Sequence, residues 1–136
     1  ELWVAGTAPA AQARAGCRGD GWLTSLITPA EARAGREVVE AEAERAGRKV
    51  DPEHFGVSVA YTDGEIPAGL SASIARRRPD VDPHSLVPAG LDAAVALLGD
   101  YVDAGFSKFV VRPARTPADW PETLSAMAVA LIPLQN

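Results

Sequence analysis

The chain is predicted to fold as an α/β domain in which parallel strands alternate with helices. Three observations predict it: short, continuously apolar runs bounded by glycine or turn residues, longer intervening stretches with helical periodicity and helix-start signals, and the regular alternation of the two. Such runs suit strands covered on both faces of a parallel sheet.

The first run, "LWVAG" (2–6), reads as a buried strand that ends in glycine, and "PAAQARAG" (9–16) as a helix with Pro9 in its first turn. "DGWLTSLI" (20–27) returns as a second strand. The clearest helix is "TPAEARAGREVVEAEAERAG" (28–47). Thr28 can cap it, Pro29 suits its first turn, Glu31 completes a capping box and Gly47 can end it. Its Ala32, Val39, Ala43 and Ala46 form an apolar stripe.

A third strand is expected at "HFGVSVAYTD" (54–63), where Val57, Val59 and Tyr61 alternate. The stretch 64–88 is the least regular; a short helix is expected around 68–78, and Pro79 and Pro83 break the segment after it. "AGLDAAVALLGDYVDAG" (89–105) reads as a helix with Leu91, Val95, Leu98 and Val102 on one side, "FSKFVVR" (106–112) as a fourth strand, and 116–134 as a closing helix with Leu124, Met127, Ala128 and Leu131 at helical spacing. No repeat or linker divides the chain, so one domain over 1–136 is expected.

The 136 residues carry 18 acidic and 13 basic side chains, a net charge of −5, with 47% hydrophobic residues. That balance argues against nucleic-acid binding, which needs a basic face. Cys17 is the only cysteine, so neither an intrachain disulfide nor a cysteine-based zinc cluster is expected, and a reducing cytoplasmic setting is the default. No apolar run approaches the ~18 residues of a membrane span. The chain opens with Glu1 directly against "LWVAG", and sequence preceding it is expected. His54 and His84 sit in turn-like contexts without metal-pair spacing, so no metal site is expected.

"AGTAPAA" (5–11) delivers a glycine from a strand into a helix N-terminus. Free backbone N–H groups and the positive end of the helix dipole make such a turn a phosphate seat; a tight turn whose small residues serve helix packing is the other reading. Pro9 has no N–H and can only shape the turn.

Taken together, "LWVAGTAPAAQARAGCRGDGW", "LITPAEARAGREVVEAEAERAGR" and "VPAGLDAAVALLGDYVDAGFSKFVVRP" resemble the C-terminal half of the bacterial luciferase-like monooxygenases, with the coenzyme F420-dependent oxidoreductases as the nearest branch. The resemblance covers nearly the whole chain and is weakest over 64–83. It implies strands five to eight of a (β/α)8 barrel, a fold that takes ~250 residues in full and carries its active site at the C-terminal rim. It also implies a redox role, with hydride exchanged between a deazaflavin (F420; FMN is the alternative) and a small organic substrate. In relatives the residues over the flavin ring and the usual catalytic histidine or acid belong to the N-terminal half, so no catalytic residue is assigned.

On this resemblance Gly6, Thr7, Ala8, Ala10 and Ala11 line the cofactor phosphate. Thr24 and Ser25, near the rim on the second strand, are candidate substrate contacts, although alternation must turn one of them inward and the other outward. Arg112 ends the last strand and either grips a phosphate or carboxylate through its fork or forms a surface ion pair. Asp20 is expected to cap or to pair with a neighbour such as Arg18, Trp22 to pack rather than to touch flavin, and Cys17 to be a small packing residue. The "RRR" at 76–78 is expected to be a solvated helix face, or to attract the polyglutamate tail of a deazaflavin. An open half-barrel leaves two unpaired edges, which invite a second copy or the missing half. The alternative function is therefore a non-catalytic half-barrel that self-associates; a phosphosugar-handling barrel without redox chemistry is a more distant one.

Overall fold

The computed structural model describes residues 1–135. Four strands, β1 (Trp3–Ala5), β2 (Gly21–Ser25), β3 (Phe55–Tyr61) and β4 (Lys108–Pro113), form one sheet in the order β1-β2-β3-β4, and every neighbouring pair is parallel. Helices join them: α1 (Pro9–Arg18), α2 (Pro29–Arg45), α3 (Ala68–Arg77), α4 (Gly90–Asp103) and, after β4, α5 (Trp120–Leu131). The predicted alternation is therefore present, including the short helix in the irregular stretch.

Local chemistry accounts for the helix starts. Thr28 and Glu31 form a complete capping box: the Thr28 N–H donates to the Glu31 carboxylate at 2.8 Å, and the Glu31 N–H donates to the Thr28 hydroxyl at 3.4 Å. At α5 the cap is Asp119, whose carboxylate accepts from the Glu122 N–H at 2.9 Å. That helix consequently begins later than the Thr116-Pro117 pair suggests.

The sheet has two unlike faces. One is covered by α1, α2 and α4, and there Trp22, Phe55, Val57 and Val59 are buried among Ala15, Val39, Ala43, Leu98 and Tyr101. Phe106, entering β4, sits at the centre of an aromatic group with ring-centroid distances of 5.8 Å to Trp22, 6.1 Å to Phe55 and 6.3 Å to Tyr101. Helices α1 and α2 approach closely because Gly16 faces α2: a Cβ there would lie 2.4 Å from the Val39 carbonyl oxygen.

The other face carries no helix over most of its length. Its residues, read across the register, are Trp3 and Gly21, then Ala5, Leu23, Gly56 and Lys108, then Ser25, Ser58 and Val110, then Ala60 and Arg112. Only its C-terminal end is roofed, by α3 and the 3-10 turn Pro83–Ser85, whose Ile74, Leu86 and Val87 form a small separate core with Leu26 and Leu70. Strands β1 and β4 are unpaired on their outer sides. The apolar run at 2–6 predicts a strand covered on both faces; as an edge strand it is not, and Ala5 is exposed. The outer flank is also loosely filled. A cleft of about 710 Å³ opens between α4, β4 and α5, and Leu124 and Val129 of α5 face solvent.

Candidate functional site

All four strands point their C-terminal ends the same way, so the loops after them share one rim, and the predicted site residues lie there. After β1 the chain turns at Gly6, whose φ of +110° lies in the region that side chains avoid. The Gly6 carbonyl accepts from the Trp22 indole N–H at 2.8 Å, which fixes the turn to the core. Ala8 is the residue before α1, and its carbonyl accepts from the N–H groups of Ala11 (2.8 Å) and Gln12 (3.1 Å). The N–H groups of Thr7, Ala8 and Ala10 have no partner among the described residues, and all three residues are exposed. The loop thus leaves three amides free at the start of α1, and the expected set needs one correction. Ala11 is buried and its N–H is already used, so it cannot bind a ligand through its amide. Thr7 also opens onto a cleft of about 330 Å³ shared with Gln12, Glu31 and Arg78.

On β2 the two candidate substrate contacts part company. Thr24 is 2% exposed and lies on the helix-covered face with Trp22, and its hydroxyl has no hydrogen-bond partner among the described residues. It lines neither the cleft at Thr7 nor the pocket beneath α3. Ser25 lies on the opposite face, beside Ser58 of β3 in the register. Arg112 of β4 lies on that same face, beside Ala60. Ser25, Ser58 and Arg112 line one pocket of about 230 Å³ beneath α3, completed by Ser73, Arg77 and a wall of leucines. Arg112 forms no ion pair among the described residues, so the surface-pair reading finds no partner.

The arginine run divides into three environments. Arg76 is exposed, Arg77 lines the pocket, and Arg78 turns back as a tie. Its guanidinium donates to the Leu26 carbonyl at 2.6 Å, to Glu31 at 2.8 Å and to Asp80 at 3.0 Å. Leu26, with φ of +54°, is the one non-glycine residue at positive φ among those described, so Arg78 braces a strained turn at the end of β2. Partial burial alone would push the Glu31 carboxyl up, but the hydrogen bonds from the Thr28 N–H and hydroxyl and from Arg78 outweigh it and hold the group below its ordinary value. Tyr101, beneath the same turn, donates its hydroxyl to the Ile27 carbonyl; burial, with the Glu31 charge adding to it, pushes the phenol up to about 12 and keeps it a neutral donor.

Other expectations are corrected by long-range partners. Asp20 pairs with Arg48 at 3.5 Å and accepts from the Leu2 N–H at 2.7 Å; it does not pair with Arg18. Cys17 is exposed and is not a packing residue. Ser58, Ser73 and Arg77 join the site from the structure alone. For Ser58 the sequence does hold a signal, since Gly56, Ser58 and Ala60 form the small-residue phase of an alternating strand. Nothing in the run at 76–78 distinguishes Arg77 from its neighbours. Among the described residues no group of three or more His, Cys, Asp or Glu side chains could hold a metal ion, and no helix is long and apolar enough to cross a membrane.

No family model matches the sequence, and no curated protein matches it either. Solved structures do match in fold. A coenzyme F420-dependent tetrahydromethanopterin reductase from Methanopyrus kandleri superposes with a TM-score of 0.68 at 16% identity, over 98% of this chain and 50% of that one. An F420-dependent secondary alcohol dehydrogenase, solved with an F420–acetone adduct, gives 0.72 at 14% identity, over 100% and 49%. A monooxygenase from Streptomyces bottropensis gives 0.61 at 17% identity, over 98% and 48%. The chain therefore spans about half the length of each of these enzymes and has the fold of that half.

Proposed function

We propose that this chain is the C-terminal half of a (β/α)8 oxidoreductase that uses F420, or alternatively FMN, and that it contributes the cofactor's phosphate seat and part of the substrate mouth. The observation that carries the reading is the pairing of half-length similarity to F420-dependent enzymes and a monooxygenase with a parallel sheet unpaired at both edges. Four more strand–helix units would pair both edges and cover the exposed flank of α5.

The 6–11 loop fits a phosphate on chemical grounds. Gly6 and the alanines leave room, the amides of Thr7, Ala8 and Ala10 are free to donate, and the N-terminal end of α1 adds a positive potential. The Thr7 hydroxyl adds one further donor. Bound there, the cofactor supplies the hydride chemistry. This chain's residues hold its anionic end, fix the loop through the Trp22–Gly6 bond, and present Ser25 and Arg112 to a substrate at the rim.

The test uses Ala10→Asp in a polypeptide that carries the N-terminal half as well. Gly6 is unsuitable, because a side chain at its φ would distort the loop itself. An aspartate in the first turn favours the helix but repels a phosphate. F420 titration, followed by its absorbance and by tryptophan quenching, is expected to show affinity weakened by about tenfold or more, with the melting temperature unchanged or raised. Equal affinity in the variant removes the phosphate seat, and no binding of F420 or FMN by the parent removes the redox reading.

The open edges favour a second reading, a non-catalytic half-barrel closed by a copy of itself. A dimer in the 136-residue chain together with no cofactor binding in the longer polypeptide would select it.

A further inference from the structure

The pocket under α3 has a composition at odds with the rest of the molecule. In a chain of net charge −5, it contains two arginines and three serines, and none of its lining residues is acidic. Neither the Arg77 nor the Arg112 guanidinium has an ion-pair partner among the described residues. They reach the pocket from separate elements, Arg77 from the last turn of α3 and Arg112 from β4. Both guanidinium groups are therefore free to meet an anion that enters the pocket.

The floor is positioned by the sheet. Ser25 and Ser58 are register partners on adjacent strands, about 4.8 Å apart across the hydrogen-bonding direction, and Arg112 lies one pleat further along on the next strand. Ser73 and Arg77 descend from α3, one helical turn apart. Leu70 and Leu86 complete the lining with apolar surface. The volume of about 230 Å³ exceeds the ~150 Å³ that admits a benzene ring, so a small organic acid or its phosphate fits.

We propose that this pocket is an oxyanion site that takes the phosphate or carboxylate group of a small organic ligand, with Arg77 and Arg112 as the charged forks and the serine hydroxyls as additional donors. Guanidinium groups match such anions with two parallel hydrogen bonds, and hydroxyls complete the shell. As the substrate site of the enzyme this rests on the redox reading above, and it makes that substrate anionic; as an anion site it is separate from the 6–11 loop, with which it shares no residue.

The test is a titration of the 136-residue chain with inorganic phosphate and, separately, acetate at constant ionic strength, read by amide and arginine Nε–H NMR shifts. Saturable shifts at Ser25, Ser58, Ser73, Arg77 and Arg112 are expected, and the tighter of the two anions identifies the ligand class. R77Q and R112Q should each weaken binding about tenfold, R112K should weaken it less, and R76Q, at a position that does not line the pocket, should not change it. Because Arg77 and Arg112 are exposed, these variants should keep the parent's circular dichroism and melting temperature. The proposal is overturned if neither anion gives saturable shifts, or if R76Q weakens binding as much as R112Q, which would mean diffuse attraction. Shifts confined to Thr7, Ala8 and Ala10 would likewise overturn it while supporting the loop seat; shifts confined to the pocket would support it and count against the loop.

Discussion

The two faces of the sheet are made from the same strands, and they are used oppositely. On the covered face β2 and β3 place the large apolar Trp22, Phe55, Val57 and Val59, with Thr24 the polar residue among them. On the bare face Ala5, Gly21, Ser25, Gly56, Ser58 and Ala60 are small, Lys108 and Arg112 are charged, and Trp3, Leu23 and Val110 are the large apolar members. A covered face is selected for burial, and a bare face made largely of small and polar residues is free to bind. Stability and recognition are therefore separable by strand parity, one residue apart.

The largest effect should come from breaking the covered face. Trp22 is fully buried, is admitted by Gly35 (a Cβ on which would sit 2.4 Å from the ring) and holds Gly6 through its indole N–H. Trp22→Ala is expected to destabilise the chain by ~3–5 kcal/mol in urea unfolding. Val110→Thr, on the bare face, should stay within ~0.5 kcal/mol. Comparable losses at both positions would mean that the bare face is packed in solution.

Arg78 joins the two faces, since it ties α3, the roof of the bare side, to the β2–α2 turn on the covered side. Arg78→Gln should cost ~1–2 kcal/mol, discounted from the usual value of charged hydrogen bonds because Glu31 and Asp80 are partly exposed. The pH dependence that Arg78 controls comes from Glu31 and Asp80, both hydrogen-bonded to it and both held below their ordinary values. The folded Glu31 carboxyl titrates below the ordinary 4.5, so its contribution is complete above pH 4.5 and is lost as pH falls through the lowered folded value. Melting curves across that acidic range should show a shallower pH slope in Arg78→Gln than in the parent. An unchanged slope would mean that the Thr28 hydrogen bonds alone set the Glu31 titration.

Legibility in the sequence tracks the range of the interactions. Features fixed within a few residues are readable: the Thr28–Glu31 capping box, Pro9 and Pro29 in first turns, Gly6 ending β1, and the period-two pattern of β3. The short helix over Ala68–Arg77 is readable too, although its docking is not. Features fixed by distant partners are not. Asp20 has an acidic side chain that suits Arg18 and Arg48 equally well by charge, and only the fold brings Arg48 near. The three consecutive arginines are chemically identical on paper and are sorted by the direction in which α3 ends. At the candidate site, the loop residues are legible as a motif. The pocket is legible only in part, through Ser25 and Arg112, because its other members come from β3 and α3.

The smallest effect, and the sharpest probe of parity, is at Thr24. Its neighbours in the register are Val57 on β3 and, one residue either way, Leu23 and Ser25 on the opposite face. At 2% exposure, with a hydroxyl that finds no partner among the described residues, it carries the desolvation penalty of a polar group without the compensating bond. Valine keeps the shape and the β-branching while removing that penalty. Thr24→Val is thus expected to leave stability unchanged or raise it by about 1 kcal/mol in urea unfolding, and to leave anion binding at the pocket unaffected. Ser25→Ala, one residue on, should do the reverse, with stability held and anion affinity reduced. Loss of anion binding in Thr24→Val would place a binding group on the covered face and end the division of labour between the two sides of the sheet.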